Sequence, residues 1–175
     1  MTRAMDVEAR RRRVALGSAL FLVVGPGTVT GFVPWLLTRW RARRPVPGGV
    51  AARAAGTVLI GAGGSFLVSA YVRFVREGIG TPAPVAPPTE LVVGGLYRYV
   101  RNPMYLALAS IVLGQALLLG RRELLAYVGV MAVPVHLTVR FYEEPVLARK
   151  FGERYERYCA NVPRWRPRLS PWNGR

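Results

Sequence analysis

The residues best suited to catalysis or ligand binding in this sequence lie at the start of one apolar segment and at the end of the next. Glu143 and Glu144 are adjacent, although the chain has only 9 acidic residues against 25 basic ones. On an ideal helix with 3.6 residues per turn, His136 and Arg140 fall on the same face as this acid pair. Facing lipid, such a polar stripe would be costly, by roughly 2.5 to 3.5 kcal/mol for an arginine at a helix centre. We therefore expect this face to point into the protein.

A second polar cluster occurs in GLYRYVRNPMY, residues 95–105, where Arg98, Arg101 and Asn102 directly precede Pro103. Proline suits the first turn of a helix, where its missing N–H is not needed and the free backbone amides create a positive potential. An anionic group is favoured at this end, whereas the acid pair can bind an ammonium or sulfonium group or accept bonds from hydroxyls. Together, the two clusters would fit a zwitterionic small molecule.

A purely structural interpretation of the same residues stays open. Glutamates and arginines that meet at a membrane boundary can form an ion-pair network that joins two helices, and a single histidine is commonly a hydrogen-bonded packing residue. No metal site is predicted, because the chain has one histidine, one cysteine and no acidic cluster beyond the pair. The Gly61-Ala62-Gly63 pattern lies in an apolar segment and indicates close helix packing, not a dinucleotide-binding fold.

Four apolar segments, at roughly residues 14–38, 54–75, 103–120 and 124–142, would position these groups. Each is near the about 20 residues that cross a bilayer. A hydrophobic content of 51% and a mean hydropathy of +0.22, at a net charge of +16, favour a membrane protein over a soluble nucleic-acid binder. The very short link between the last two segments predicts an antiparallel hairpin that brings the two polar clusters together.

The predicted fold is therefore all-α, a polytopic transmembrane helical bundle of about four spans. It forms a single membrane domain over residues 1–175, with an N-terminal helical pair in 1–80 and a core in 81–169. The first span should kink at Gly25-Pro26-Gly27 and at Pro34. Small residues in the second span should allow close helix contact, namely Gly56, Gly61, Gly63, Gly64 and Ser65.

Three further stretches surround the predicted spans. The proline-rich residues 80–95 cannot form a regular helix. Residues 146–162 carry apolar side chains at helical spacing, which predicts one amphipathic cytoplasmic helix that lies on the bilayer or caps the bundle. The following tail alternates proline, tryptophan and arginine and suits the headgroup zone.

The distribution of basic residues predicts the orientation in the membrane. With four crossings, 18 of the 25 arginine and lysine residues lie on the side that holds both termini, which should be cytoplasmic. The opposite side carries a smaller cluster, Arg39, Arg41, Arg43 and Arg44. The arginine-rich composition favours a bacterial inner-membrane protein, and the charged start predicts a retained anchor instead of a cleaved signal peptide. Cys159 is the single cysteine, so no intramolecular disulfide can form.

Two blocks of the sequence carry a family resemblance. They are GLYRYVRNPMY and FYEEPVLARKFGERYERYCANVPRWRPRL. Their order and separation resemble the integral-membrane methyltransferases of the isoprenylcysteine carboxyl methyltransferase and phospholipid methyltransferase superfamily, over about residues 80–169. The resemblance implies that residues 81–169 hold S-adenosylmethionine in a cytoplasm-facing pocket, while a lipophilic acceptor enters sideways from the bilayer.

By position, the resemblance also assigns residues to the site. It implies a cofactor pocket lined by Tyr97, Arg98, Arg101, Asn102, Pro103, Tyr105, Glu143 and Glu144. The candidate catalytic residues are Arg101, Asn102, His136 and Arg140. Asn102 stands where carboxyl methyltransferases typically have histidine, and the Asn-Pro-Met-Tyr run is closer to the phospholipid branch.

The nature of the methyl acceptor stays open between a prenyl-cysteine-like carboxylate and a phospholipid or other amine. A carboxylate or thiolate would arrive ionised and be held by Arg98, Arg101 or Arg140. An amine must first lose a proton, with His136 or a glutamate as the candidate base.

Two other functions are consistent with the sequence. A non-enzymatic membrane scaffold could bind anionic lipid through its basic tail, at ~1 kcal/mol for each arginine near the surface. A membrane reductase with a similar helical core would use a nicotinamide cofactor instead. The expected partners are membrane lipids and a lipophilic small molecule or lipid substrate, with no nucleic acid. No oligomeric state is predicted.

Overall fold

The computed structural model describes residues 24–43, 48–78 and 90–174, and this part of the chain is helical without strands. The charged start and residues 14–23 of the predicted first span, which is also the predicted anchor, lie outside the described residues, as does the proline-rich stretch up to residue 89. Two helices, Gly49–Arg73 and Arg122–Phe151, are long and apolar enough to cross a membrane, and Pro103–Leu119 is a shorter apolar helix. The all-α prediction is confirmed, and the count of four spans stays a prediction.

The described part of the chain contains α-helices together with shorter 3₁₀ and π-helical turns. In order, they are a π-helical turn Thr28–Phe32 that continues as α1 (Val33–Thr38), α2 (Gly49–Gly78), a 3₁₀ turn Gly95–Arg98, α3 (Pro103–Leu119), α4 (Arg122–Thr138), a second π-helical turn Val139–Glu143, α5 (Glu144–Phe151) and α6 (Glu153–Asn161). From α4 to α5 the helical run is continuous.

The first π-helical turn has its cause in Pro34. Because proline has no N–H to donate, Thr30 O loses its usual helical partner. The N–H of Val33 bonds to Thr28 O, five residues earlier, so the helix widens there and Val29 O is also left free. Val29 O accepts a hydrogen bond from Tyr127 Oη (3.2 Å) and Thr30 O accepts one from Gln115 Nε2 (2.7 Å). The widened turn therefore fastens the first helix to α3 and α4.

The helices α2 and α3 approach each other closely, as the small residues of α2 predict. A Cβ atom on Gly56 would lie 2.6 Å from Gly114 O, and one on Gly63 would lie 2.9 Å from Ala107 O. The contact thus recurs after seven residues on both helices, which is the signature of one continuous seam. Gly61 does not take part, since no described atom lies within 4 Å of its Cβ position.

The helices α3 and α4 form the predicted antiparallel hairpin. The chain turns at Gly120, whose φ of +64° lies in the left-handed region that favours glycine. Leu124 and Val112 are fully buried where the two helices pack. The hairpin returns the chain to the level at which α3 begins, so the two polar clusters lie at the same end of the bundle.

The predicted amphipathic helix over residues 146–162 is wrong as a single helix. The chain breaks at Gly152, with φ +51° and ψ −131°, a conformation that glycine adopts far more readily than any residue with a side chain. After the break, α6 packs on the protein through Tyr155, Tyr158 and Val162, which are all buried. This helix therefore caps the bundle with its apolar face.

The C-terminal tail, which the sequence assigned to the headgroup zone, also packs on the protein. Arg101 N donates to Pro163 O at 3.0 Å, and Trp172 N donates to Arg98 O at 3.0 Å. These backbone hydrogen bonds join the tail to the residues that precede α3. The tail thereby becomes one wall of the region in which the polar clusters meet.

Candidate functional site

The site is built on an ion pair that crosses the hairpin. Arg101 lies just before α3 and Glu144 begins α5, and Arg101 Nη1 is 3.0 Å from Glu144 Oε1. Both side chains are largely buried, with exposed fractions of 13% and 15%. The two clusters therefore meet as the hairpin predicts, at a depth where an unpaired charge would be costly.

A third charged residue, Arg164 in the tail, completes this pair. Its Nε and Nη2 atoms each donate to a different carboxylate oxygen of Glu144, both at 2.7 Å. This two-pronged geometry is the strong form of an arginine–carboxylate contact, and the hydrogen bond to Glu144 raises the pKa of Arg164 above its ordinary value.

Reasoning from the sequence did not place Arg164 in the site. One feature of the sequence could have indicated it: the chain has 25 basic residues and only 9 acidic ones. With so few acids, an inward-facing glutamate is expected to pair with more than one arginine.

Glu143 faces a different set of partners. Tyr105 Oη, in the first turn of α3, donates to Glu143 Oε1 at 2.5 Å. Tyr97 lines the same cavity as Glu143 and is 9% exposed. Burial raises the pKa of the Tyr97 phenol, and the nearby charge of Glu143 raises it further. Tyr97 is therefore a neutral hydroxyl beside the carboxylate.

His136 and Arg140 do not join the acid pair. Trp165 Nε1 donates to His136 Nδ1 at 3.0 Å. Arg140 is exposed, and its guanidinium lies 5.9 Å from the centre of the Phe141 ring. The physical reason is the second π-helical turn. Its hydrogen bonds join residues five positions apart, so the glutamates no longer lie on the helix face that a regular α-helix would give them together with His136 and Arg140.

The remaining predicted residues flank the ion pair. Arg98 Nε donates to Trp172 O at 2.8 Å, and Arg98 Nη2 also bonds to Asn173 Oδ1. Asn102 Nδ2 donates to Arg164 O at 3.2 Å, and Pro103 is buried as the first residue of α3. Arg98 and Asn102 thus bind the tail, whereas Arg101 reaches the acid pair directly.

Two cavities lie on either side of the Tyr105–Glu143 hydrogen bond. A cavity of about 70 Å³, named the polar cavity here for the charged groups it contains, is lined by Arg101, Asn102 and both glutamates. The rest of its lining is tyrosine and aliphatic side chains, namely Tyr97, Tyr155, Tyr158, Leu91, Val92, Val139 and Leu147. An apolar cavity of about 430 Å³ is lined by residues of α3 and α4, by Val29 of the first π-helical turn and by Trp165 of the tail. Tyr105 lines the apolar cavity and Glu143 the polar one, so a single hydrogen bond joins the two walls.

The polar cavity has the groups that a zwitterionic ligand requires. Arg101 Nε is buried and has no hydrogen-bond partner among the described residues, so it can donate to a carboxylate. Glu143 and Glu144 offer acceptors to a cation or to hydroxyl groups. The cavity is smaller than the about 300 to 1,000 Å³ of typical small-molecule pockets. A ligand of that size requires the lining side chains to move. Arg164, which holds Glu144 from outside the lining, is the most exposed member of the ion-paired group, at 21%.

A family model described as phospholipid methyltransferase matches residues 51–154, which run from α2 into the start of α6. The match covers more than half of the chain and includes both polar clusters, while Arg164 and Trp165 lie beyond it. No curated protein and no solved structure matches the chain.

Proposed function

The chain belongs to the phospholipid methyltransferase family, and from this premise we propose that it is an integral-membrane methyltransferase. It transfers the methyl group of S-adenosylmethionine to a lipophilic acceptor that enters from the bilayer. We place it in a bacterial inner membrane with both termini in the cytoplasm, and residues 81–169 form its cofactor-binding core.

The observation that carries this proposal is the meeting of two unlike cavities at one hydrogen bond. A methyltransferase for lipids must hold a polar, charged donor and an apolar acceptor within bonding distance of each other. The polar and apolar cavities on the two sides of Tyr105 and Glu143 supply such neighbouring environments.

The charged residues of the polar cavity have distinct roles in this proposal. S-adenosylmethionine, when bound, supplies a methyl group that its sulfonium charge has already activated, so orientation is the main task of the protein. Arg101 binds the ligand carboxylate through its free Nε–H, and Glu144 and Glu143 face the cationic and hydroxyl groups. Arg164 leaves Glu144 as the cavity expands. The apolar walls exclude water from the acceptor.

Binding of S-adenosylmethionine to the detergent-solubilised protein tests the proposal. Arg101→Lys keeps a positive charge beside Glu144 but removes the buried Nε–H. One hydrogen bond to a charged group accounts for about a tenfold or greater loss of affinity in this variant. Arg140→Gln is the control, because it also removes an arginine, but at an exposed side chain outside the polar cavity. Thermal unfolding of all three proteins verifies that they are folded.

The alternatives give different results in the same titration. A reductase would bind a nicotinamide dinucleotide in place of S-adenosylmethionine. A lipid scaffold would bind neither compound, and its affinity for anionic vesicles would fall with salt. A folded wild-type protein without affinity for S-adenosylmethionine, or an Arg101→Lys variant with undiminished affinity, overturns the proposal.

A further inference from the structure

The end of the bundle opposite the polar cavity carries a group of arginine side chains. Two belong to the turn between α3 and α4, and three belong to the segment that follows α1. We call these five residues the basic patch: Arg39, Arg41, Arg43, Arg121 and Arg122. Four of them are exposed, and Arg121 is partly buried. Among the residues that the structure describes at this end, Glu123 is the only acid, so the basic patch has a net positive charge.

Two hydrogen bonds hold the two parts of the basic patch together. Arg43 N donates to Leu119 O at 2.9 Å, and Arg121 Nε donates to Arg41 O at 2.7 Å. Both bonds join the segment after α1 to the turn between α3 and α4. The five arginines are therefore neighbours in the fold, although Arg41 and Arg121 are 80 positions apart in the sequence.

The segment after α1 has a strained backbone. Arg39 and Trp40 have φ angles of +49° and +51°, in the left-handed region that residues with a side chain adopt rarely and at a cost. The buried Thr38 supports this turn, because its Oγ1 accepts a hydrogen bond from Trp40 N at 3.1 Å. Strain that the surrounding contacts maintain is a feature of binding sites more than of simple connections.

Three guanidinium groups of the basic patch are free. No described residue makes a hydrogen bond, an ion pair or a ring contact with the side chain of Arg41, Arg43 or Arg122. The guanidinium of Arg39 differs, since it lies 4.3 Å from the centre of the Trp35 ring. A guanidinium binds a phosphate group through parallel N–H···O hydrogen bonds. The three free groups are therefore available to such an anion.

The basic patch lies at the edge of an apolar surface. The two helices that are long and apolar enough to cross a membrane, Gly49–Arg73 and Arg122–Phe151, both begin at this end of the bundle. Large apolar side chains next to the basic patch are exposed, among them Trp40 at 57%, Leu36 at 50% and Leu125 at 45%. Arginine and tryptophan at the end of an apolar span lie at the depth of the lipid headgroups. The basic patch is therefore placed to meet the headgroups of that leaflet.

We propose that the basic patch binds the phosphate group of an anionic phospholipid in the leaflet opposite the polar cavity. The phosphate lies among the free guanidinium groups of Arg41, Arg43 and Arg122, and the acyl chains lie along the exposed apolar side chains of α1 and α4. The first turn of α4 has no side-chain cap, so its free amides add to the positive potential.

The net charge of the basic patch determines which headgroup it prefers. A zwitterionic headgroup would bring its own ammonium group close to the same arginines, which repel it. A headgroup with a net negative charge has no such group. The interaction also favours a lipid over a soluble anion, because the apolar surface continues directly from the arginines.

Native mass spectrometry of the full chain in an uncharged detergent tests the proposal. The protein is titrated with dioleoylphosphatidylglycerol or with dioleoylphosphatidylcholine, which has the same acyl chains. One arginine close to an anionic lipid surface strengthens binding by about fivefold. With three free arginines, we expect the wild type to bind phosphatidylglycerol about tenfold or more tightly than phosphatidylcholine. Equal affinity for the two lipids overturns the proposal.

Two triple variants locate the interaction. The patch variant replaces the three free arginines by glutamine, namely Arg41, Arg43 and Arg122. The control variant replaces three exposed arginines at the other end of the bundle by glutamine, namely Arg149, Arg157 and Arg166. The patch variant should lose about tenfold or more in affinity for phosphatidylglycerol, and the control variant, with the same loss of charge, should bind like the wild type. The reverse result would assign lipid binding to the α5–α6 end and contradict the proposal.

A second measurement needs no arginine substitution, so it holds even if the patch variant does not fold. Phospholipids with brominated acyl chains quench the fluorescence of nearby tryptophan. The difference between the wild type and Trp40→Phe isolates the emission of Trp40, and brominated phosphatidylglycerol should quench it more strongly than brominated phosphatidylcholine. Equal quenching by both lipids contradicts the proposal. S-adenosylmethionine is absent from these experiments, so their result is separate from that of the proposed function.

Discussion

Replacing Glu144 by glutamine tests both the fold and the site. The substitution removes the charge that Arg101 and Arg164 share, through one contact of 3.0 Å and two hydrogen bonds of 2.7 Å. An amide oxygen at the Oε1 position can still accept from Arg101 Nη1 and Arg164 Nε, but the NH₂ group then faces Arg164 Nη2, which can only donate. Two arginines then lie close together without a counter-charge.

The magnitude follows from the burial of the three side chains. Breaking a buried ion pair by removing one partner costs about 3 to 5 kcal/mol. The exposed fractions of 13%, 15% and 21% allow some solvent access, so we take the lower end, about 3 kcal/mol. For a chain of this size each kcal/mol lowers the melting temperature by about 2 to 4 °C, which gives a decrease of about 6 to 12 °C.

Thermal unfolding in detergent, followed by circular dichroism and tryptophan fluorescence, measures this decrease. Arg140→Gln should change stability by no more than about 0.5 kcal/mol, because it alters an exposed charge on the same helical run. The melting temperature of Glu143→Gln should lie between those of Glu144→Gln and Arg140→Gln, since Tyr105 can still donate to an amide oxygen. A Glu144→Gln melting temperature equal to that of the wild type would refute the assignment of a stabilising ion-paired group.

The same experiment separates a binding role from a structural one. A ligand at one hundred times its dissociation constant stabilises the native state by about 2.7 kcal/mol. S-adenosylmethionine should raise the melting temperature of the wild type and of Arg140→Gln, but not that of Glu144→Gln. A loss of stability in Glu144→Gln with an undiminished ligand shift would assign the carboxylate to structure alone.

Four further substitutions test individual elements. Gly114→Leu should prevent stable folding, because even a Cβ atom there would lie 2.6 Å from a backbone oxygen of α2. Gly61→Ala changes an open position and should keep the wild-type melting temperature and gel-filtration profile. Gly152→Ala should cost about 1 to 3 kcal/mol in thermal unfolding, since its positive φ strains a residue with a side chain. Trp165→Phe should keep an aromatic side chain but remove the indole N–H, so that the ¹⁵N signal of His136 Nδ1, which accepts that hydrogen bond, should shift.

Much of the fold follows from features that the sequence displays directly. Apolar length predicts the described helices, and the short link at Gly120 predicts the hairpin that brings Arg101 to Glu144. The small residues of α2 predict its close approach to α3, although only Gly56 and Gly63 of those named make that contact and Gly61 does not. These features depend on local chemistry and on the spacing of residues along an ideal helix.

The parts that were not predicted depend on deviations from the ideal helix. A helical wheel assumes 3.6 residues per turn, so it placed Arg140 with Glu144, and the π-helical turn between them alters that phase. The backbone angles of Gly152 redirect the chain and bring Arg164 back to a glutamate 20 positions earlier. Periodicity along the sequence carries no information about such a reversal.

The tail explains how a basic protein can bury so much charge beside an apolar cavity. Arg164 and Trp165 are consecutive, yet the first binds Glu144 in the polar cavity and the second binds His136 in the apolar one. The tail therefore lines the apolar cavity and also binds a residue of the polar one, and backbone hydrogen bonds tie it to the start of α3. Because the Glu144 carboxylate is paired with two arginines, an incoming cation can replace one of them without leaving the carboxylate unpaired. The ion pairs thus stabilise the ligand-free protein and leave the polar cavity able to exchange partners.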